Sequence, residues 1–327
     1  MGYHDLFFKQ TFSIREHAVD FLKQALPPQV AMGIDYATLA PEKSSHVDTV
    51  LAEHFSDAVY TCRFYGVKIT IALLFEHKSA PDNNLPFQLY RYIGNLWENT
   101  TKQKQARKPV IPIVLYHGKE AWRPGPLSSR FKNLPDAVKP FIPDFEYVFV
   151  DLSAYSNESI KKSMFTLASL RVALLIMKNI FNQEELEQHL TQFLEIGHSF
   201  FQEEQGLKFL EAVINYILQA TEIETDKLVK SITRVSEKGE EIAMTTAEKL
   251  RQEGLRRGRQ EGIQEGIPKG RYNMMVTFIR NAGEKGLSQE MIAQIVNLDV
   301  ESVRKILNNE PVDIPLHLLT DNDQQNH

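Results

Sequence analysis

Apolar positions set the first expectations. Leu6, Phe7, Phe12, Ala18, Phe21, Leu22 and Leu26 recur near the helical period, so the chain reads as helix up to Leu26, where Pro27 and Pro28 break it. A polar connection around residues 41–45 leads into a second helical segment at about 48–55. Residues 58–65 and 67–75 are rich in β-branched and aromatic side chains and read as two strands, with only Gly66 between them. Pro81, Asp82, Asn83 and Asn84 mark a turn. Residues 86–99 then read as an amphipathic helix with Phe87, Tyr90, Ile93, Leu96 and Trp97 on its apolar side. Residues 109–116 and 145–152 are mostly apolar, as interior strands are. This order predicts an α/β fold, a mixed central sheet flanked by helices.

The pattern changes near residue 155. Residues 159–181, 183–200 and 207–220 read as successive helices. Gly254, Gly258, Gly262, Gly266 and Gly270 then fall every four residues. Each costs a helix about 1 kcal/mol, and Pro268 adds a break, so this stretch reads as a weak helix or a flexible linker. A short helix at 271–281 follows, then two more at 288–296 and 300–307, with Ser288 as N-cap. The pair has the spacing of a helix-turn-helix. Its second helix offers only Arg304 and Lys305 against Glu301, which favours a small helical cap or dimerisation element. The expected organisation is a core over 1–155, a helical region over 156–250, and a glycine-repeat linker with a small helical, flexible C-terminal segment over 251–327.

Composition narrows the classes. Hydrophobic residues make up 43% and charged residues 24% of 327, enough to bury a core without disulfides. Cys62 is the one cysteine, so internal disulfides are excluded and a reducing, cytoplasmic setting is expected; Cys62 itself reads as core packing, like Tyr60 and Trp97. No apolar run approaches the roughly 20 residues of a membrane helix, and no signal peptide is visible. A net charge of −5 gives no global attraction to nucleic acid. Local basic groups must supply any such contact. Lys102, Lys104, Arg107 and Lys108 form one run without acids, and Arg251, Arg256, Arg257 and Arg259 form another.

The chemistry concentrates in FSDAVY and ITIALLFEHKS. An apolar strand running directly into Glu76 and Lys78 is unlike a solvated strand that carries the same residues. Alternation puts Glu76 and Lys78 on one face and turns His77 away. If the two strands pair antiparallel, Asp57 reaches the same end of the sheet as Glu76. Two carboxylates there are hard oxygen ligands for Mg²⁺, with Mn²⁺ or Ca²⁺ as alternatives. A metal lowers the pKa of bound water, and Lys78 suits charge building on a phosphorus centre. His4 and Asp5 read as a helix start, and His117 with Gly118 as a turn.

FSDAVY, LLFEHKSAPD, PFQLYRYI, Trp97 and VIPIVLYHGKEAW, with HDLFFKQTF and HVDTVLAEHFSD before them, resemble the recombination-promoting nuclease and transposase-like family, within the PD-(D/E)XK nuclease superfamily. The resemblance is dense over residues 3–150, and the glycine-repeat tail is typical as well. It implies a PD-(D/E)XK-type core and metal-assisted hydrolysis of DNA, with a role in recombination or mobile elements. The acid of the family's S-D-x-x-Y motif falls on Asp57 and that of its E-H-x-S motif on Glu76. The third position, glutamine in many members, is Lys78 here. Gln88, on the following helix, is expected to orient water or a phosphate. Arg91 and the basic run 102–108 are expected to contact backbone phosphates. The rival expectation is a non-catalytic DNA-binding or assembly protein that keeps the fold. Self-association through the glycine-rich tail is a further one.

Overall fold

The computed structural model describes residues 2–42, 58–64, 67–102 and 104–319. Within β3, the side chains of residues 67–76 lie outside that set, as do Asp57 and the helical segment expected at 48–55. Contacts divide the chain into two compact units, Met1–Ala247 and Glu248–His327.

The first unit is built on a five-stranded sheet in the order β1 to β5: Ile34–Pro41, Val59–Phe64, Val67–Lys78, Val110–Tyr116 and Val148–Asp151. β1–β2 and β2–β3 pair antiparallel, β3–β4 and β4–β5 parallel, so the sheet is mixed as expected. β1 has no counterpart in the periodicity. It is an edge strand with a register shift between Asp35 and Ala40. Arg15 holds its backbone, donating from Nε to the Leu39 carbonyl at 2.7 Å and from Nη2 to the Tyr36 carbonyl at 2.6 Å. That support comes from a residue distant in sequence, which a local pattern does not show.

The N-terminal helical stretch is two helices, α1 (Tyr3–Phe12) and α2 (Arg15–Ala25), followed by a short α3 (Pro28–Gly33). The break falls at Ser13 and Ile14. The Ser13 hydroxyl donates back to the Gln10 carbonyl, and Ile14 is extended. The period survives the break because both helices bury their apolar residues in one core, where Phe7, Phe8, Phe12, Phe21 and Leu22 meet.

Alternation in β4 divides the interior. Ile113 and Leu115 join α1, α2 and the later helices in the main core. Val114 and Tyr116 join Leu85, Leu89, Tyr92 and Trp122 in a smaller core under α4 (Leu85–Lys102). The buried side chains of α4 include Leu85, Leu89, Tyr92 and Ile93, of which Ile93 was expected on the apolar side. Phe87, Tyr90 and Trp97, expected on its apolar side, are exposed. Tyr60 and Cys62 are buried as expected.

After β5 the chain forms the expected helices with different breaks. A short turn of helix at Asn157–Ser159 runs into a π-helical turn, Ile160–Met164. Then come α5 (Ala168–Asn179), α6 (Gln183–Glu195), α7 (Glu204–Ala220) and α8 (Thr225–Thr233). Their apolar residues share the core of the sheet and of α1 and α2. The glycine repeat is helical. It lies inside α9 (Glu237–Glu284), which also absorbs Pro268 and the short helix expected at 271–281. In the second unit, α10 (Gln289–Val296) and α11 (Val300–Leu307) are capped by Ser288 and Asp299 and joined at a left-handed Asn297. They pack on Ile279 and Ala282 of α9, while Arg304 and Lys305 both reach Glu301 on their own helix.

Two glycines should respond oppositely to alanine. A Cβ on Gly206 would overlap the Phe200 carbonyl oxygen, so Gly206→Ala should lose about 1–3 kcal/mol in urea unfolding. A Cβ on Gly262 meets nothing within 4 Å, so Gly262→Ala should stabilise α9 by about 1 kcal/mol, read by thermal melting of helicity.

Candidate active site at the carboxyl edge of the sheet

β3, β4 and β5 run parallel, so their carboxyl ends meet at one edge. Lys78 lies beside Tyr116, and Tyr116 beside Asp151. The ladder continues one step as the His117 amide donates to the Lys78 carbonyl at 3.1 Å. Ligands of open α/β sheets bind outside such carboxyl ends.

Adjacent residues of β3 face opposite layers there. Lys78 turns toward α4. Its Nζ donates to Asp82 Oδ2 at 3.0 Å and to Gln88 Oε1 at 2.6 Å. An ammonium only donates, which fixes the Gln88 amide with oxygen toward Lys78 and nitrogen toward the Tyr92 hydroxyl, at 2.6 Å. Burial pushes the Asp82 carboxyl up. The Asn84 amide, the Lys78 hydrogen bond and the nearby charges of Lys78 and Arg130 outweigh it and hold the carboxyl below its ordinary value. Lys78 and Gln88 are thus brought together, and Gln88 positions the ammonium. Glu76 pairs with Val114 in the β3–β4 ladder.

His77 turns the other way, as alternation requires, and is buried. Its Nε2 lies 2.5 Å from His117 Nε2, and its Nδ1 lies 3.4 Å from Asp5 Oδ1. His117 Nδ1 donates to the Met177 carbonyl at 2.9 Å, which leaves its Nε2 to accept from His77. The His4 ring lies 5.3 Å from that of His117, and His4 Nδ1 is 2.7 Å from the Tyr216 hydroxyl. Burial, then the neighbouring His77 and His4, hold His117 well below its ordinary range. Burial and His77 push His4 down to about 4 against the pull of Asp5. The hydrogen bond with His77 holds the Asp5 carboxyl low, against a burial effect that raises it. The histidine at the end of β4 is therefore packed inside the protein rather than displayed by a turn. Gly118 beside it has no room for a Cβ, which would overlap the Tyr116 hydroxyl. The meeting of His4, Asp5, His77, His117 and Tyr216 is not legible in the sequence because they come from four separate segments. The inward phase of His77 was the one available signal. Among the described residues no three His, Cys, Asp or Glu side chains gather as a metal site.

The basic residues are distributed differently from their sequence. Lys102 pairs with Glu98 at 3.0 Å and Lys108 with Glu42 at 3.2 Å, so acids from outside the run meet two of its members. Lys104 takes a left-handed backbone conformation, and Arg107 borders a shallow surface depression with Trp97 and Glu98. Arg91 is exposed, its guanidinium 5.8 Å from the Tyr92 ring centre. Trp97 is exposed too and donates to the Lys108 carbonyl at 2.8 Å.

The depressed histidines fix a sign for pH dependence. Burial also holds His17 below its ordinary value. A histidine whose folded pKa lies below its unfolded 6.5 lets the unfolded chain bind more protons on acidification. Its stabilisation is complete above about 6.5 and is lost as pH falls toward the folded value, about 4 for His4. Urea unfolding should therefore show lower stability at pH 5.5 than at pH 7, before carboxylates titrate, and His4→Phe should reduce that difference. A flat profile in the wild type would reject neutral His4, His17 and His117.

A family model described as "Putative transposase, YhgA-like" matches residues 2–208, more than half of the chain. Curated relatives from Escherichia coli K12 cover still more of it. The chain is 27% identical to the recombination-promoting nuclease RpnC, over 93% of this chain and 97% of the relative. It is 27% identical to the inactive recombination-promoting nuclease-like protein RpnE, over 91% and 96%. It is 28% identical to the recombination-promoting nuclease RpnA, over 77% and 84%. No solved structure matches. No helix among the described residues is long and apolar enough to cross a membrane. The motifs that enclose this edge of the sheet, from His4 to His117, all fall within the matched residues, and the chain belongs to the YhgA-like family.

Proposed function

We propose that this chain is a metal-dependent DNA endonuclease that acts in recombination. The observation that carries the reading is the end of β3, which delivers Glu76 and Lys78 to the carboxyl edge of the sheet with the Lys78 ammonium fixed by Asp82 and Gln88. Asp57 lies outside the described residues; it comes two residues before Val59, which pairs with Leu74 two residues before Glu76. The names of RpnC and RpnA supply the reaction class, nuclease action in recombination.

Asp57 and Glu76 are the residues that would hold the metal, and as a donor set of two carboxylates they suit Mg²⁺ or a similar hard cation. When bound, such an ion supplies Lewis acidity toward the phosphate and a more acidic water. Lys78 places a compact positive charge where the phosphodiester becomes more negative on attack. Gln88, held by Tyr92, keeps that ammonium from swinging away and maintains its direction. Arg91 and Arg107 engage flanking phosphates, which gives affinity without sequence information.

RpnE, named inactive at similar identity, favours one other reading, a DNA-binding protein that keeps the fold without cleavage. Nicking of supercoiled plasmid separates the two. Wild type should nick with Mg²⁺ and stop with chelator. Asp57→Ala and Glu76→Ala should fall to background, and Lys78→Met should lose about 10²–10³-fold. Equal cleavage by wild type and Asp57→Ala, or none with any divalent ion, would exclude the catalytic reading. Removing Arg91 and Arg107 together should flatten the slope of log affinity against log salt by about 0.9 for each phosphate left without its arginine.

A further inference from the structure

Four aromatic rings pair across α4, the helix that carries Gln88, and the connection between β4 and β5. Phe87, next to Gln88 on α4, is 42% exposed, and so is Phe131 from the long connection between β4 and β5. Their centroids lie 6.1 Å apart, edge to face. One helical turn further along α4, the 48% exposed Tyr90 stacks at 6.4 Å on Phe145 of the same connection. Phe87 and Tyr90 lie on the side of α4 turned away from its buried residues. The helix buries Leu85, Leu89 and Tyr92 and leaves these rings outside.

A guanidinium completes the arrangement. Arg130 precedes Phe131 in the chain, and its Nη1 donates to Asn83 Oδ1 at 3.1 Å. Its charge is felt by Asp82, the residue that holds Lys78. Its Nε is buried with no hydrogen-bond partner among the described residues. Asp144 fixes the turn that presents it, accepting from the Ser128 amide at 2.8 Å.

We infer that Phe87, Phe131 and Arg130 form a platform for unpaired bases, so that the favoured substrate is single-stranded or locally unpaired DNA at the cut. This rests on the nuclease reading. In a continuous duplex each base face is covered by its neighbours, and exposed rings have nothing to stack on. An unpaired strand offers both a base face and a phosphate, which aromatic rings and an arginine recognise together. Phe87 adjoins Gln88 in the chain, and Arg130 holds Asn83, the neighbour of Asp82, so a strand lying on them passes close to the residues that hold Lys78.

The test measures binding without metal, by fluorescence anisotropy of the full chain with oligothymidylate and with a hairpin duplex of equal length. Wild type should bind oligothymidylate about tenfold more tightly than the hairpin. The double variant Phe87→Ser/Phe131→Ser should lose about that factor on oligothymidylate and little on the hairpin. Both side chains are exposed, and thermal melting checks that the variant stays folded. Arg130→Gln should weaken binding to oligothymidylate, with partial rescue by Arg130→Lys. Equal affinity for the two probes, or an unchanged oligothymidylate affinity in the double variant, overturns the inference. Cleavage is scored separately with metal. If oligothymidylate binds through these residues and nothing is cleaved, the nuclease reading fails and the platform stands. If both DNA forms are cut at equal rates by wild type and variant, the platform fails and the nuclease stands.

Discussion

The parallel pairing of β3 with β4 is the constraint on which the site depends. It aligns Glu76, His77 and Lys78 with Val114, Leu115 and Tyr116, and the His117 amide extends it to the Lys78 carbonyl. Strand alternation then assigns neighbours to opposite layers. His77 enters the main core beneath α1, and Lys78 faces α4. Three consecutive residues therefore serve both the interior and the candidate chemistry, and a one-residue slip would exchange these roles.

The histidine group makes that register expensive to lose. His77, His117 and His4 are held by Asp5, the Met177 carbonyl and the Tyr216 hydroxyl, so each buried ring nitrogen named has a polar neighbour. Such groups are tolerated inside a protein only when these partners are present together. They come from α1, the ends of β3 and β4, α5 and α7, so the network ties the late helices to the strand that carries Glu76 and Lys78. The helices after residue 155 thus help to hold the edge, through shared core and shared hydrogen bonds.

The opposite layer is more open. α4 uses Leu85, Leu89 and Tyr92 to pack on Val114 and Tyr116, and Tyr92 also anchors Gln88. One narrow apolar stripe is enough for packing, which frees the remaining faces for Gln88, Arg91 and the exposed rings. The connection between β4 and β5 brings Arg130, Phe131 and Phe145 against those faces.

Periodicity in the sequence determined the mixed sheet, four of its strands, the α4 helix and the small capped pair α10 and α11, because each is specified by its own residues. It also determined that His77 and Lys78 part company, since alternation needs only an extended chain. Local pattern could not reveal β1, whose carbonyls depend on Arg15, or the division of the first helix at Ile14. It placed Phe87, Tyr90 and Trp97 inside, because hydrophobicity alone does not say which of two competing stripes meets the sheet; the side chains of β4 decide that. The pairing of Lys78 with Gln88 across a turn, the meeting of His4, His77 and His117, and the acid that reaches Lys108 are likewise tertiary, whereas Glu98 meets Lys102 four residues along the same helix. Residue types named the chemistry at the end of β3, and strand register with layer packing decided which side chains surround it.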